Sequence, residues 1–124
     1  MHEFPRCNAV KVCRYGTMAY NINDRYLGRS LELYSEFSEG EVALFRQVVR
    51  PGDVVLDVGA NIGAHTLFFA RQVGPTGEVV TVEPQRVLFQ TLCANLALNS
   101  VTNVWALPYA VGAVEGSLLI PRID

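Results

Sequence analysis

The sequence is poor in the residues that would point to several common functions. Its three cysteines, Cys7, Cys13 and Cys93, are an odd number with no C-x-x-C spacing, and Cys93 falls on an apolar helical face. Neither a disulfide framework nor a zinc site fits that pattern, so free thiols in a reducing cytoplasm and no metal are expected. No apolar run reaches the roughly 18 to 20 residues a membrane span needs, and the Met1 to Pro5 start holds no signal-like segment, so no membrane partner is expected. Positive charge is scarce too. Ten basic residues against twelve acidic ones give a formal charge of −2, which gathers no phosphate backbone and argues against a nucleic-acid partner. Repeats and low-complexity stretches are missing.

What remains is a chain of 124 residues, half of them hydrophobic, enough for one compact core. Residues 1–38 mix tyrosines with Gly16, Asn21, Asn23, Asp24 and Gly28, which predicts short strands and turns. Ser38 with Glu41 reads as a capping box, and Val42, Phe45 and Val49, with Leu44 and Val48, predict a helix over 39–50. Val54 to Val58 is apolar without alternation apart from Asp57, as in a strand covered on both faces of a parallel sheet. A helix over 64–73, a strand over 78–82, a helix ending near Leu98 and a strand over 104–109 follow. Glycine-flanked apolar runs over 111–120 suggest a closing hairpin. Alternating strands and helices mean βαβ units, so residues 39–124 are expected to form a Rossmann-like α/β half domain with its ligand at the carboxyl ends of the strands.

The loop that leaves the first of these strands carries the chemistry. Asp57, Gly59, Ala60, Asn61 and Gly63 stand where a strand meets a helix, and glycines there allow a sharp turn and a ligand lying against bare backbone. Asn61 occupies a position suited to left-handed geometry, which Asn tolerates best among non-glycine residues. Main-chain N–H groups at the helix start suit the carboxylate of an amino acid. Glu83, twenty residues after Gly63, has the spacing at which an acid accepts hydrogen bonds from ribose hydroxyls, and Pro84 leaves Gln85 in the bordering loop. Asp57 would repel a pyrophosphate but attract the ammonium and sulfonium of S-adenosylmethionine. That acid, with the lack of a third glycine at dinucleotide spacing, disfavours a nicotinamide-dependent oxidoreductase.

With DVGANIGAHT at 57–66, VTVEPQ at 80–85, ANLALNSVTNV at 94–104, AVG at 110–112 and the lead-in DRYLGRSLELYSEFSEGE at 24–41, the chain resembles the FkbM-type methyltransferases along nearly its whole length. The resemblance implies a class I methyltransferase fold with a seven-stranded sheet, S-adenosylmethionine as cofactor, and O-methylation of a hydroxyl on a small molecule or sugar. It also implies that Asp57, Gly59, Asn61 and Gly63 cradle the methionine end, that Glu83 holds the ribose, and that the backbone of Ala110 and Val111 edges the adenine. The chain stops at Asp124, so the family's fourth strand and its acidic motif are expected to be absent, leaving one wall of the cofactor crevice. The exposed sheet edge would then be covered by self-association or a partner chain, and a module without catalysis is the competing reading. No catalytic base is assigned. His65 is expected to be a helix-turn residue bonded to backbone, Trp105 to pack, and Tyr34 and Glu36 are candidates to lid the cofactor.

Overall fold

The computed structural model describes residues 1–121. Strands β3 (Val54–Val58), β4 (Glu78–Val82) and β5 (Val104–Leu107) form a parallel sheet in the order β3-β4-β5. Helices α3 (Ala64–Val73) and α4 (Arg86–Leu98) make the two crossovers. Each step across the sheet runs the same way, so right-handed crossovers put both helices on one face. On that face Val55, Val79 and Val104 meet Phe68, Phe69, Ala70 and Val73 of α3, while Ala106 meets Leu67, Leu92 and Leu96.

Among the described residues the opposite face is open at β3 and at Trp105 but covered at Val82, which is 5% exposed. The register sets Leu56 beside Val80 and Trp105, and Val58 beside Val82 and Leu107. Val54, Leu56, Val58 and Trp105 are 73, 62, 55 and 62% exposed. The run has the composition of a strand covered on both faces, yet β3 lies at the sheet edge with one face covered, which is the exposed edge the sequence led us to expect. No described helix is long and apolar enough to cross a membrane.

Helix α2 (Glu39–Val48) packs on α3 through Val42 and Phe45, with Val49 just beyond its end, and turns Leu44 and Val48 outward. The expected capping box does not form. Ser38 is itself left-handed, with φ 52°, and its hydroxyl donates to Glu41 Oε1 at 2.5 Å, so the two side chains satisfy each other instead of the helix amides.

Ahead of this core, β1 (Asn8–Cys13) and β2 (Gly16–Asn21) form an antiparallel hairpin, and α1 (Leu27–Tyr34) is a helix where only strands and turns were read. The helix buries Leu27 and Leu31, one turn apart, and Gly28, a poor helix former, hid it. Two carboxamides one turn apart on α4 dock the hairpin. Asn95 accepts from Ala19 N at 2.7 Å and donates to the carbonyls of Ala19 and Ile62, at 3.1 and 2.8 Å. Asn99 accepts from Thr17 N at 2.9 Å and donates to Thr17 O at 2.8 Å. The outer edge of β2 is thus satisfied by side chains in place of another strand. A Cβ on Gly16, which has φ 148°, would collide with Asn99, so glycine is required there.

After β5 the expectations fail. The strand stops at Leu107, two residues early, because Pro108 has no N–H for the ladder. The hairpin over 111–120 is absent: that stretch has no strand, and Val111, Val114, Leu118 and Leu119 are exposed with no partner to pair against.

Candidate functional site

The loop between β3 and α3 takes left-handed geometry at alternate residues: φ is 73° at Gly59, 56° at Asn61 and 93° at Gly63. This winding turns the chain back at the strand end, with Gly59 N and Ala60 N both donating to Val82 O at 3.0 Å. Asn61 N donates to Glu83 and Gly63 N to Ala60 O, so the amides of these four residues are used internally rather than held for a ligand carboxylate. The first-turn amides of α3, at Ala64 and His65, have no carbonyl partner and remain as donors. A Cβ on Gly59 would meet nothing within 4 Å, so a ligand can reach the backbone there. Gly63 serves packing: a Cβ would lie 2.7 Å from Leu92 Cδ1, and its absence lets α4 approach the loop.

Glu83 is no solvated strand-end charge. It is 5% exposed, its Oε1 accepts from Asn61 N at 2.8 Å and its Oε2 from Gln85 N at 2.9 Å. Each oxygen keeps a further lone pair, so the carboxylate that ties the loop to the end of β4 can also accept from two hydroxyls. Asp57 Oδ2 accepts from Thr66 Oγ1 at 2.7 Å. Burial pushes the Asp57 carboxyl above its ordinary range, opposed in part by the Thr66 hydroxyl, by the nearby His65 and by Thr81.

Asp57, Gly59, Ala60 and Asn61 line one side of a cavity of about 320 Å³, with Ala64 and His65 at the start of α3. The other side comes from ahead of the core: Asp24, Tyr26, Leu27 and Phe37. None of these four was singled out from the sequence. The lid candidates fall elsewhere, since neither Tyr34 nor Glu36 lines this cavity and Glu36 accepts from Arg14 at 2.8 Å. The lead-in 24–41 carried the signal, but without the phase of α1 the sequence could not tell which aromatic faces the loop.

His65 departs from expectation. Its Nε2 is buried without a hydrogen-bond partner, and its ring stands 5.5 Å from Phe37, 5.4 Å from Phe45 and 6.5 Å from Phe69. Asn61 Oδ1 is also buried and unpartnered. Across the strand ends, Pro84, Ala110 and Val111 line a shallower depression of about 620 Å³ with Tyr109. Gly63, Glu83 and Gln85, the last the N-cap residue of α4, are outside both linings. No group of three His, Cys, Asp or Glu among the described residues could hold a metal.

Comparison with known proteins follows the same line. No curated protein sequence matches the chain. Among solved structures, a protein-L-isoaspartate O-methyltransferase is 27% identical, with a TM-score of 0.56 over 60% of this chain and 24% of that one. A SAM-dependent methyltransferase from Aquifex aeolicus is 24% identical, with a TM-score of 0.53 over 71% and 43%. A SAM-dependent O-methyltransferase from Thermotoga maritima is 18% identical, with a TM-score of 0.56 over 82% and 40%. The chain therefore spans between about a quarter and two fifths of the length of these structures, and its fold is that of the Rossmann-like class I methyltransferases. The cofactor expected from the loop, S-adenosylmethionine, agrees with that fold and with the family. The family model described as Methyltransferase FkbM domain matches residues 57–121, more than half of the sequence, and the chain belongs to that family.

Proposed function

We propose that this chain forms the S-adenosylmethionine-binding part of a methyltransferase that acts on a hydroxyl of a small molecule or sugar, in the cytoplasm. The observation that carries the reading is the junction of loop and acid: a left-handed loop at the end of β3, fastened to a buried Glu83 whose oxygens retain free lone pairs. When bound, S-adenosylmethionine supplies an electrophilic methyl group on its sulfonium.

The residues present fit that group. Asn61 Oδ1, buried and without a donor, lies on a residue of the cavity wall, and a ligand ammonium there would remove a cost of about 1 to 3 kcal/mol. The free amides of Ala64 and His65 suit a carboxylate, and the Asp57 carboxylate suits the ammonium beside it. Glu83 takes the ribose, and Pro84, Ala110 and Val111 offer an apolar depression for adenine. A dinucleotide fits less well, because the first acid would face its pyrophosphate.

The bare face of the sheet supports a second element of the proposal, that the working protein covers Leu56, Val58 and Trp105 with a second copy or a partner chain. The methyl acceptor is part of the proposal as a class only. Titration calorimetry tests the cofactor reading: S-adenosylmethionine and S-adenosylhomocysteine are expected to bind more tightly than NAD. Equal or tighter binding of NAD would overturn it.

A further inference from the structure

We infer that Asp24, on the turn between β2 and α1, makes this pocket prefer the charged, methyl-bearing cofactor to its demethylated product. The inference rests on the cofactor reading above. The 320 Å³ cavity is lined by Asp57 on the loop and by Asp24 on the turn ahead of α1, together with Tyr26 and Phe37. Asp24 Oδ1 accepts from Tyr26 N at 2.9 Å, and Asp57 Oδ2 from Thr66, so each carboxylate keeps one oxygen without a protein partner. No lysine or arginine lines the cavity, and the salt bridges among the described residues run from Arg14 to Glu36 and Glu39, away from it. Two acids and the half-buried Phe37, without a lysine or arginine in the lining, form a site for positive charge.

The turn is built to hold Asp24 in place. Asp24 N donates to Asn21 O at 3.1 Å, and Asn21 Oδ1 accepts from Asn23 N at 2.8 Å. A Cβ on Gly28 would lie 2.6 Å from Asn21 O and 2.9 Å from Asp24 Cβ, so α1 packs on this turn only with glycine there. None of that requires a charge, because an asparagine at 24 would accept from Tyr26 N equally well. The negative charge is what the fold leaves unexplained.

S-adenosylmethionine carries an ammonium, a sulfonium and a carboxylate, whereas S-adenosylhomocysteine lacks the sulfonium. If the ammonium is met by Asp57 and Asn61, the charge left for Asp24 is the sulfonium. A cavity of this volume is about 8 Å across, and over that distance in a partly open pocket one carboxylate changes the affinity for a cation by about tenfold.

The test is calorimetry with both ligands on the wild-type chain and on Asp24→Asn, which removes the charge and keeps the acceptor for Tyr26 N. The expected result is a roughly tenfold weaker dissociation constant for S-adenosylmethionine and an S-adenosylhomocysteine constant unchanged within about twofold. Equal weakening of both ligands, or of neither, overturns the inference. Should Asp24→Asn fail to fold, the wild-type chain still decides: its preference for S-adenosylmethionine must exist at low salt and shrink as salt is added. A wild-type chain that binds neither ligand brings down the cofactor reading itself. One that binds both with no charge preference brings down only the role of Asp24.

Discussion

At the scale of single residues, Asp57 is held between two opposed demands. Burial raises its carboxyl above the ordinary range, making the charged form more costly than in water, while a cationic ligand favours the carboxylate. Because the folded value lies above the unfolded one, this group's contribution to stability is present at low pH and is lost as pH rises through the raised value. The ligand-free chain should therefore lose stability from this source as pH rises from the ordinary carboxylate range through the raised value. Asp57→Asn should melt at least as high as the wild type at neutral pH and lack that slope, while binding S-adenosylmethionine more weakly. The wild-type affinity should also fall as the solution is acidified through the raised value. Melting curves and titrations across that range check both signs. Identical pH slopes for the two proteins would show that Asp57 is not held in the way its surroundings imply.

At the scale of elements, β3 repeats the same conflict between local fit and surroundings. Its inward residues Val55 and Asp57 face the helices, and its outward residues Val54, Leu56 and Val58 face solvent on an edge strand without lysine or proline to discourage pairing. Such a strand is expected to associate, and light scattering at micromolar concentration should give a mass above that of the single chain. Val54→Lys, on the exposed face at the end of β3 remote from the cofactor loop, should lower that mass while leaving S-adenosylhomocysteine affinity unchanged. A wild-type monomer would refute the expectation.

The elements also show what was legible beforehand. Strands 54–58 and 78–82 and the helix 64–73 stand where their apolar runs and glycine stops placed them, because in a parallel sheet burial is dictated by the run itself. Where tertiary contact decides, the reading failed. Helix α1 exists because Leu27 and Leu31 find a core that its own sequence does not announce, and the hairpin over 111–120 is missing, its apolar residues left exposed.

For the whole molecule, the site divides along the same boundary. The loop and Glu83 were visible because spacing and backbone chemistry confine them to neighbouring strand ends. The wall of Asp24, Tyr26 and Phe37 was not, because it reaches the loop only after Asn95 and Asn99 dock the hairpin on α4, a contact between residues 76 and 82 positions apart in sequence. The cavity is thus assembled from the segment ahead of the core and the loop after β3, with the buried Glu83 fastening that loop through Asn61 N. The central claim is that this acid holds the cofactor, and the most direct measurement is the S-adenosylhomocysteine dissociation constant of Glu83→Ala against the wild type. Loss of the ribose hydrogen bonds predicts weakening by about 30-fold to 150-fold, roughly 2 to 3 kcal/mol, in a chain whose circular dichroism shows it folded. An unchanged constant in a folded variant would mean that Glu83 only fastens the loop and that the cofactor, if bound, lies elsewhere.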